Sequence, residues 1–177
     1  GEPCDAFAVK ANFDAIIENK ARHTWLEMMR LLEKVEAPDA STFRIHMREP
    51  YYPMLTELGV TRPFAIISPK AMKNGSTKDG VNAYIGSGPW VLKKFVTDEY
   101  AEFEVNDKYW GEKPIIRRVI VKVIPDNQTR ILALEKGEID LIFGKNELDA
   151  DALKKYSDSG KFGVLVSEPA STRQIVL

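Results

Sequence analysis

One stretch of the chain, residues 84–144, most constrains what it can fold into, because every joint between its apolar runs carries a turn signal. Residues 90–95 and 100–105 both alternate between opposite faces, which is the period of a half-buried β-strand. The polar residues 97–99 join them, so the pair predicts a β-hairpin. Glycine and proline within residues 108–114 then end the second strand, because proline cannot donate to a strand ladder.

The same stretch continues with a strand, a helix and another short strand. Residues 115–124 are rich in β-branched side chains and predict a buried strand. Asp126 can cap a helix over residues 127–136, and Gly137 is the residue type that ends a helix in a left-handed conformation. Residues 139–143 predict a further strand. The order strand, helix, strand favours a helix packed on one face of a mixed sheet, so the predicted fold class is α/β.

Apolar spacing outside this stretch predicts further elements. A helix is expected to begin after Asp5, and a second helix is expected to begin at Arg22. Residues 42–47 alternate and predict a strand, whereas the polar residues 73–80 predict a mobile loop. Beyond residue 144 the pattern predicts a helix from Asn146 or Asp149 through Tyr156, and a strand over residues 162–166.

Charge and composition exclude several classes of site. A net charge of −1 gives no electrostatic reason to expect nucleic acid or an anionic membrane surface as a partner. The single cysteine, Cys4, excludes an internal disulfide and a cysteine-based zinc site. The two histidines, His23 and His46, are not spaced as metal ligands, so a tight nickel or zinc site built by this chain alone is not predicted.

The motifs of catalytic and phosphate-binding sites are missing as well. The Gly86-x-Gly88 pair precedes a strand instead of opening a helix, so it predicts a turn. Glu138 and Asp140 share one face of a predicted strand, but no histidine or further acid is positioned with them for acid–base chemistry. The chain is therefore predicted not to be an enzyme. A carboxylate-dependent hydrolase and a purely structural interaction domain remain as alternatives.

Four strings in the sequence carry a resemblance to a known family. They are GEPCDAFAVKANF (1–13), GSGPWVLKKF (86–95), NDKYWGEKP (106–114) and VIPDNQTRILALEKGEIDLI (123–142). Together they resemble the solute-binding proteins of the oligopeptide, dipeptide and nickel ABC importers, the large class with three subdomains, and the likeness extends over essentially all 177 residues. The resemblance implies a type II periplasmic-binding-protein fold, with this chain as part of one lobe of a two-lobed protein.

The resemblance also implies an organisation and a set of partners. Residues 1–83 would form the smaller subdomain of lobe I and residues 84–177 part of its main subdomain, with an N-terminal segment and lobe II expected outside these residues. The implied partners are the ABC permease subunits and the second lobe of the same protein, in the periplasm or membrane-anchored outside the cytoplasm. No cofactor is implied. The implied ligand is Ni(II) in a nickel–histidine-like or other metallophore complex, or alternatively an oligopeptide or dipeptide.

Two strings indicate ligand-binding residues through the same resemblance. RHTW (22–25) is similar to a segment that supplies an arginine and a tryptophan to the cleft in the nickel branch of the family, which implies Arg22 and Trp25. TRPF (61–64) is similar to a string whose arginine pairs with a ligand carboxylate, which implies Arg62. His23 is either a further contact or a solvent-facing neighbour. Direct metal ligation by this chain is not implied.

The residues themselves leave alternatives open at two of these positions. Trp25 also fits the apolar face of the predicted second helix, where it would belong to the core. Arg62 could form a structural salt bridge, although its position before a proline predicts extended backbone at the edge of a sheet that faces a cleft. Guanidinium groups bind carboxylates in a bidentate manner and an indole can cover an apolar or ring face. If the ligand is nickel, as the resemblance implies, these side chains would therefore meet the carboxylates of its chelator.

Overall fold

The structure, a computed structural model, describes residues 2–144, 148 and 150–166. It is a mixed α/β chain, as predicted, and it divides into two compact units between Val121 and Lys122. None of the helices in these residues is both long and apolar enough to cross a bilayer. The elements are α1 (Ala6–Glu18), a 3-10 helix (Lys20–His23), α2 (Glu27–Leu31), β1 (Leu32–Asp39), β2 (Thr42–Met47), α3 (Met54–Leu58), α4 (Thr61–Phe64), a second 3-10 helix (Pro69–Ala71), β3 (Met72–Lys73), β4 (Ser76–Val81), β5 (Trp90–Val96), β6 (Tyr100–Val105), β7 (Arg118–Lys122), α5 (Asn127–Glu135) and α6 (Ala150–Ser159).

Helix α1 supplies the core of the first unit. Asp5 caps it as predicted, because its carboxylate accepts the Ala8 N–H at 2.9 Å. Phe13 is 4% exposed and lies between two other rings, with centroids 4.9 Å from Phe43 on β2 and 5.8 Å from Phe64 on α4. Contacts of this kind add to the hydrophobic stabilisation of burial. The aromatic cluster thus fixes α1 against both β2 and the segment that carries Arg62.

The predicted strand β2 is confirmed, but its partner β1 is a strand that the sequence analysis does not predict, because the apolar residues Leu32 and Val35 fit the continuation of the helix expected from Arg22. Val35 pairs with Ile45, and Leu32 pairs with Met47 across a register shift. The shift places Leu32 and Val35 on one face although they are three residues apart, and both are buried. Helical spacing of apolar residues therefore fits a bulged strand equally well, which is why the sequence pattern misled the prediction.

Residues 73–80 form a hairpin instead of the predicted mobile loop. Asn74 and Gly75 both have positive φ, at 52° and 73°, and Lys73 pairs with Ser76 across them. Two adjacent residues of positive φ make the turn whose twist matches paired strands, and Asn–Gly is its preferred sequence. The prediction of a loop relies on the polar composition of residues 73–80 and does not use the Asn–Gly turn signal.

The central hairpin is confirmed, and β7 extends it to a three-stranded sheet in the order β5-β6-β7. The prediction of a buried strand over residues 115–124 was wrong. Only Arg118–Lys122 is strand, and Ile120 and Val121 are 43% and 54% exposed. Charged side chains interrupt the apolar run at both ends, and β7 is an edge strand of the described sheet.

In the second unit the capping signals of α5 are confirmed. Asp126 accepts the Thr129 N–H at 2.7 Å, and Gly137 follows the helix with a φ of 74°. The predicted strand over residues 139–143 is not formed. Instead, the backbone N–H groups of Glu138 and Ile139 both donate to the Ala133 carbonyl, at 2.8 and 3.4 Å. Glu138 and Asp140 therefore do not share a strand face.

The rest of the second unit contains α6, which includes the buried Tyr156. Its predicted starting residues, Asn146 and Asp149, lie outside the described residues. The predicted strand over residues 162–166 is not formed, because a strand needs a ladder partner and none lies beside it in the described part of the chain.

The side chain of Glu57 on α3 joins three segments of the first unit. Its carboxylate accepts the Met28 N–H at 2.9 Å and the Tyr51 hydroxyl at 2.6 Å. The first bond satisfies a free N–H group in the first turn of α2 from another element. The charge also raises the pKa of Tyr51 to about 12, because the hydroxyl donates to Glu57 and the neighbouring negative charge opposes its ionisation.

This hydrogen bond predicts an unusual alkaline titration. Because the folded pKa of Tyr51 lies above the usual value of about 10, its stabilising effect is complete below pH ~10 and disappears as pH rises through ~12. We expect Tyr51→Phe to lower the melting temperature at pH 8 and to remove one late step from the absorbance titration at 295 nm. The neighbouring Tyr52 is fully exposed, so Tyr52→Phe serves as the matched control. Equal titration curves for the two variants would contradict the assignment.

Candidate functional site

Three of the four predicted site residues meet at one cavity in the first unit. Its volume is about 310 Å³, at the lower end of the range for small-molecule pockets. The lining comes from α1, the first 3-10 helix, the α4 segment and β4, and its polar members are Asn12, Asn19, Arg22, His23, Thr61, Arg62 and Thr77. Residues far apart in the sequence thus surround a single volume.

The backbone around Arg62 presents its side chain to this cavity. Arg62 has φ −112° and ψ 117°, the extended conformation predicted for a residue before proline, and its bond to Pro63 is cis. The side chain is exposed. The sheet edge predicted for this segment is not formed, since residues 65–67 belong to no strand. A side chain of α1 holds the segment instead.

That side chain is Asn12, which the sequence analysis did not identify. Its Nδ2 donates to the Ala8 carbonyl at 2.9 Å and to the Ile67 carbonyl at 2.8 Å, while its Oδ1 accepts the Ile67 N–H at 3.0 Å. Asn12 is 4% exposed. An amide on the buried face of an amphipathic helix needs hydrogen-bond partners. The position of Asn12 among the apolar residues of α1 is thus the sequence signal that could have identified it.

Trp25 lies beside Arg62 and outside the core. The Arg62 guanidinium carbon is 5.9 Å from the centroid of the indole, within cation–π range, and Trp25 is 53% exposed. The alternative that Trp25 belongs to the core of a helix is therefore wrong. The single predicted helix is broken into the 3-10 helix and α2, and the turn between them carries Trp25 outward.

Neither predicted arginine is used in an ion pair within the described part of the chain. Arg22 makes one long hydrogen bond, from its guanidinium to the Lys78 carbonyl at 3.4 Å. Arg62 has the contact with Trp25 and no acidic partner among the residues that the structure describes. The alternative of a structural salt bridge at Arg62 thus has no support here. Both cationic groups are available to an anion in the cavity.

The charges of both guanidinium groups act on the ring of His23. Burial, and then the charges of Arg62 and Arg22, lower the pKa of His23 below its usual value, because each opposes a further positive charge. Its Nδ1 is buried and has no hydrogen-bond partner among the described residues. These effects favour the neutral imidazole, and His23 lines the cavity together with the two arginines.

The chemistry of this arrangement is anion binding with an aromatic contact. Two guanidinium groups suit carboxylates, and the exposed indole offers a flat apolar surface beside one of them. Within residues 2–144, 148 and 150–166, no three His, Cys, Asp or Glu side chains are grouped to hold a metal ion. The assignment of Arg22, His23, Trp25 and Arg62 as ligand contacts stays a prediction.

Comparison with known proteins gives a consistent set of relatives. A sequence model of the bacterial extracellular solute-binding proteins, family 5, middle region, matches residues 1–177. The nickel-binding periplasmic protein of Escherichia coli K12 is 39% identical over 100% of this chain and 34% of its own length. A probable D,D-dipeptide-binding periplasmic protein of the same organism is 30% identical over 93% of this chain and 31% of its own length. The chain thus spans about a third of these curated relatives.

A solved structure agrees with the sequence matches. NikA from Brucella suis, crystallised in complex with Fe(III)-EDTA, superimposes with a TM-score of 0.84 at 45% sequence identity. The match covers 90% of this chain and 32% of that one. The likeness therefore includes nearly all of the elements described above.

Proposed function

The chain belongs to family 5 of the bacterial extracellular solute-binding proteins, and from this premise we propose that it is part of a protein that binds chelated nickel and delivers it to the permease of an ABC importer. The protein would act outside the cytoplasm, as a binding component without catalytic turnover. Its ligand would be a nickel–histidine-like or other metallophore complex. The second lobe of the same protein would complete the site.

One observation carries the proposal: Arg22 and Arg62 meet at one cavity, and Trp25 contacts Arg62 beside it. Arg22 and Arg62 both line the cavity, and the Arg62 guanidinium carbon lies 5.9 Å from the centroid of the Trp25 indole. Each guanidinium can donate two N–H groups to a carboxylate of the chelator, and the indole can cover a ring or apolar face of the chelator. A charge-assisted contact of this kind contributes roughly 1.5–3 kcal/mol, so two of them support useful affinity once water is excluded.

The charges of the cavity also favour a complex over a bare metal ion. Arg22 and Arg62 both carry positive charge at the cavity, and no aspartate or glutamate lines it in the part of the chain that the structure describes. A dication would be repelled, whereas carboxylates that surround a metal present negative oxygens to the protein. The binding of a polycarboxylate complex by the Brucella suis relative and the nickel binding of the Escherichia coli relative support this reading.

A peptide is the second candidate ligand, because a relative at 30% identity is a probable dipeptide-binding protein and a peptide also ends in a carboxylate. We expect the full-length protein to bind Ni(II)–histidine with a Kd in the micromolar range or below, and to bind neither free Ni(II) nor dipeptides comparably. Isothermal titration calorimetry with the complex, the metal alone and a dipeptide panel tests this. Binding of peptides without binding of the nickel complex would exclude the proposal.

A further inference from the structure

His23 is the cavity residue whose role the two arginines do not explain. Its ring lines the same cavity as theirs, yet neither ring nitrogen has a hydrogen-bond partner among the described residues. Nδ1 is the buried nitrogen, whereas the ring as a whole is only partly buried. Nε2 is therefore the nitrogen that can meet a molecule in the cavity.

The burial of Nδ1 also decides which nitrogen of the His23 ring carries the hydrogen. In a neutral imidazole one nitrogen bears the hydrogen and the other accepts. Buried N–H groups without an acceptor are rarer and more costly than under-satisfied acceptors, so the favoured form leaves Nδ1 bare and places the hydrogen on Nε2. A charged imidazolium would need a second N–H at the buried Nδ1, next to Arg62 and Arg22, and both lower the pKa of His23.

The same feature argues against direct coordination of a metal by His23. A metal-ligating imidazole almost always donates its other N–H to a carboxylate, carbonyl or water, which sets the ring and its tautomer. Nδ1 of His23 has no such acceptor in the part of the chain that the structure describes. The ring is thus arranged as a hydrogen-bond donor through Nε2.

We propose that His23 is a third carboxylate-binding group of the cavity, whose neutral ring donates its Nε2–H to an oxygen of the bound chelator beside Arg22 and Arg62, without coordinating the metal. The inference rests on the proposed function and narrows its ligand class. Three donors at one cavity select complexes that expose several carboxylate oxygens, such as aminopolycarboxylate chelates. A dipeptide, with one terminal carboxylate, would leave donors unpaired.

Co(III)–EDTA is a suitable probe for this role. It is inert to ligand exchange and hexadentate, so an imidazole cannot enter its coordination sphere and can act on it only through the carboxylates. In the full-length protein we expect His23→Phe, which keeps a planar ring but removes both nitrogens, to weaken Co(III)–EDTA binding about tenfold or more. His23→Gln, which restores an N–H donor, should recover most of the affinity.

The other histidine provides a matched control. His46 lies on β2 and its Nε2 is 3.0 Å from Glu36, away from the cavity lining. We expect His46→Phe to leave Co(III)–EDTA binding unchanged. If His23→Phe binds the probe as tightly as the wild type while Arg62→Ala does not, the inference is overturned and the proposed function stands. If the wild-type protein binds neither Co(III)–EDTA nor Ni(II)–histidine, both fail.

Two further measurements distinguish hydrogen-bond donation by neutral His23 from metal ligation and from binding as an imidazolium. The visible absorption of bound Ni(II)–histidine should be the same in the wild type and in His23→Gln; a changed spectrum would make His23 a metal ligand and overturn the inference. Among the described residues, the charged ones that line the cavity are Arg22 and Arg62. Affinity for Co(III)–EDTA should therefore be constant between pH 7 and 8.5, and a loss of about tenfold per pH unit would show that the imidazolium binds instead.

Discussion

Replacing Arg62 by alanine in the full-length protein is expected to weaken Ni(II)–histidine binding by about 10- to 100-fold and to leave the melting temperature nearly unchanged. The loss follows from one charge-assisted, bidentate contact to a carboxylate. Stability should persist because the Arg62 side chain is exposed and forms no hydrogen bond or ion pair with the described residues. Calorimetry and thermal unfolding monitored by circular dichroism measure the two quantities.

Two variants give this experiment its reference points. Arg62→Lys keeps the charge but loses the planar fork, so its affinity should lie between those of the wild type and Arg62→Ala. Arg44 is an exposed arginine on β2 that does not line the cavity, and Arg44→Ala should bind as the wild type does. A large fall in melting temperature for Arg62→Ala would indicate a structural role, and unchanged affinity would remove Arg62 from the site.

Replacing Asn12 by alanine is expected to have the largest effect on stability. The change removes the hydrogen bonds that join α1 to both backbone groups of Ile67 and leaves those groups without partners. The expected loss is about 2–4 kcal/mol in the free energy of unfolding. Urea denaturation of the full-length protein, followed by circular dichroism, measures it. Because the same bonds hold the segment that carries Arg62, Ni(II)–histidine affinity should also fall several-fold.

Asn19 is the control for this prediction, since it lies at the end of the same helix. Its Nδ2 makes one bond, to the Ala15 carbonyl at 3.0 Å, and it is less buried than Asn12. Asn19→Ala should therefore cost about 1 kcal/mol or less. If Asn12→Ala and Asn19→Ala unfold at the same urea concentration, the link between α1 and Ile67 does not contribute to stability as argued.

The parts of the fold that could be predicted are those whose signals are local. Asp5 and Asp126 begin α1 and α5, and Gly137 follows α5, because caps depend on a few neighbouring residues. The hairpin of β5 and β6 was predicted because its alternation and its turn are adjacent in sequence. In contrast, β1 depends on a bulge opposite β2, and the expected strand over residues 139–143 depends on a partner that it does not have among the described residues.

In the candidate site, too, the predictable features are local in sequence and the missed ones depend on tertiary contacts. Arg22, Trp25 and Arg62 were identified through short strings that resemble the family, and the extended backbone of Arg62 follows from its proline neighbour. Asn12 was missed because its partner, Ile67, lies 55 residues away. The unpartnered Nδ1 of His23 could not be predicted either, since the burial of a single atom depends on the tertiary packing of several segments.

The attachment of both arginines to α1 has a consequence for substitutions elsewhere in the chain. Arg22 follows the helix directly, with its N–H donated to the Asn19 carbonyl at 2.9 Å, and Arg62 is tied to it through Asn12 and Ile67. The distance between the two guanidinium groups is thus set by helix α1 and not by the β1–β2 hairpin that lies between them in the sequence. Substitutions across that intervening stretch should therefore leave the spacing of the two cationic groups unchanged.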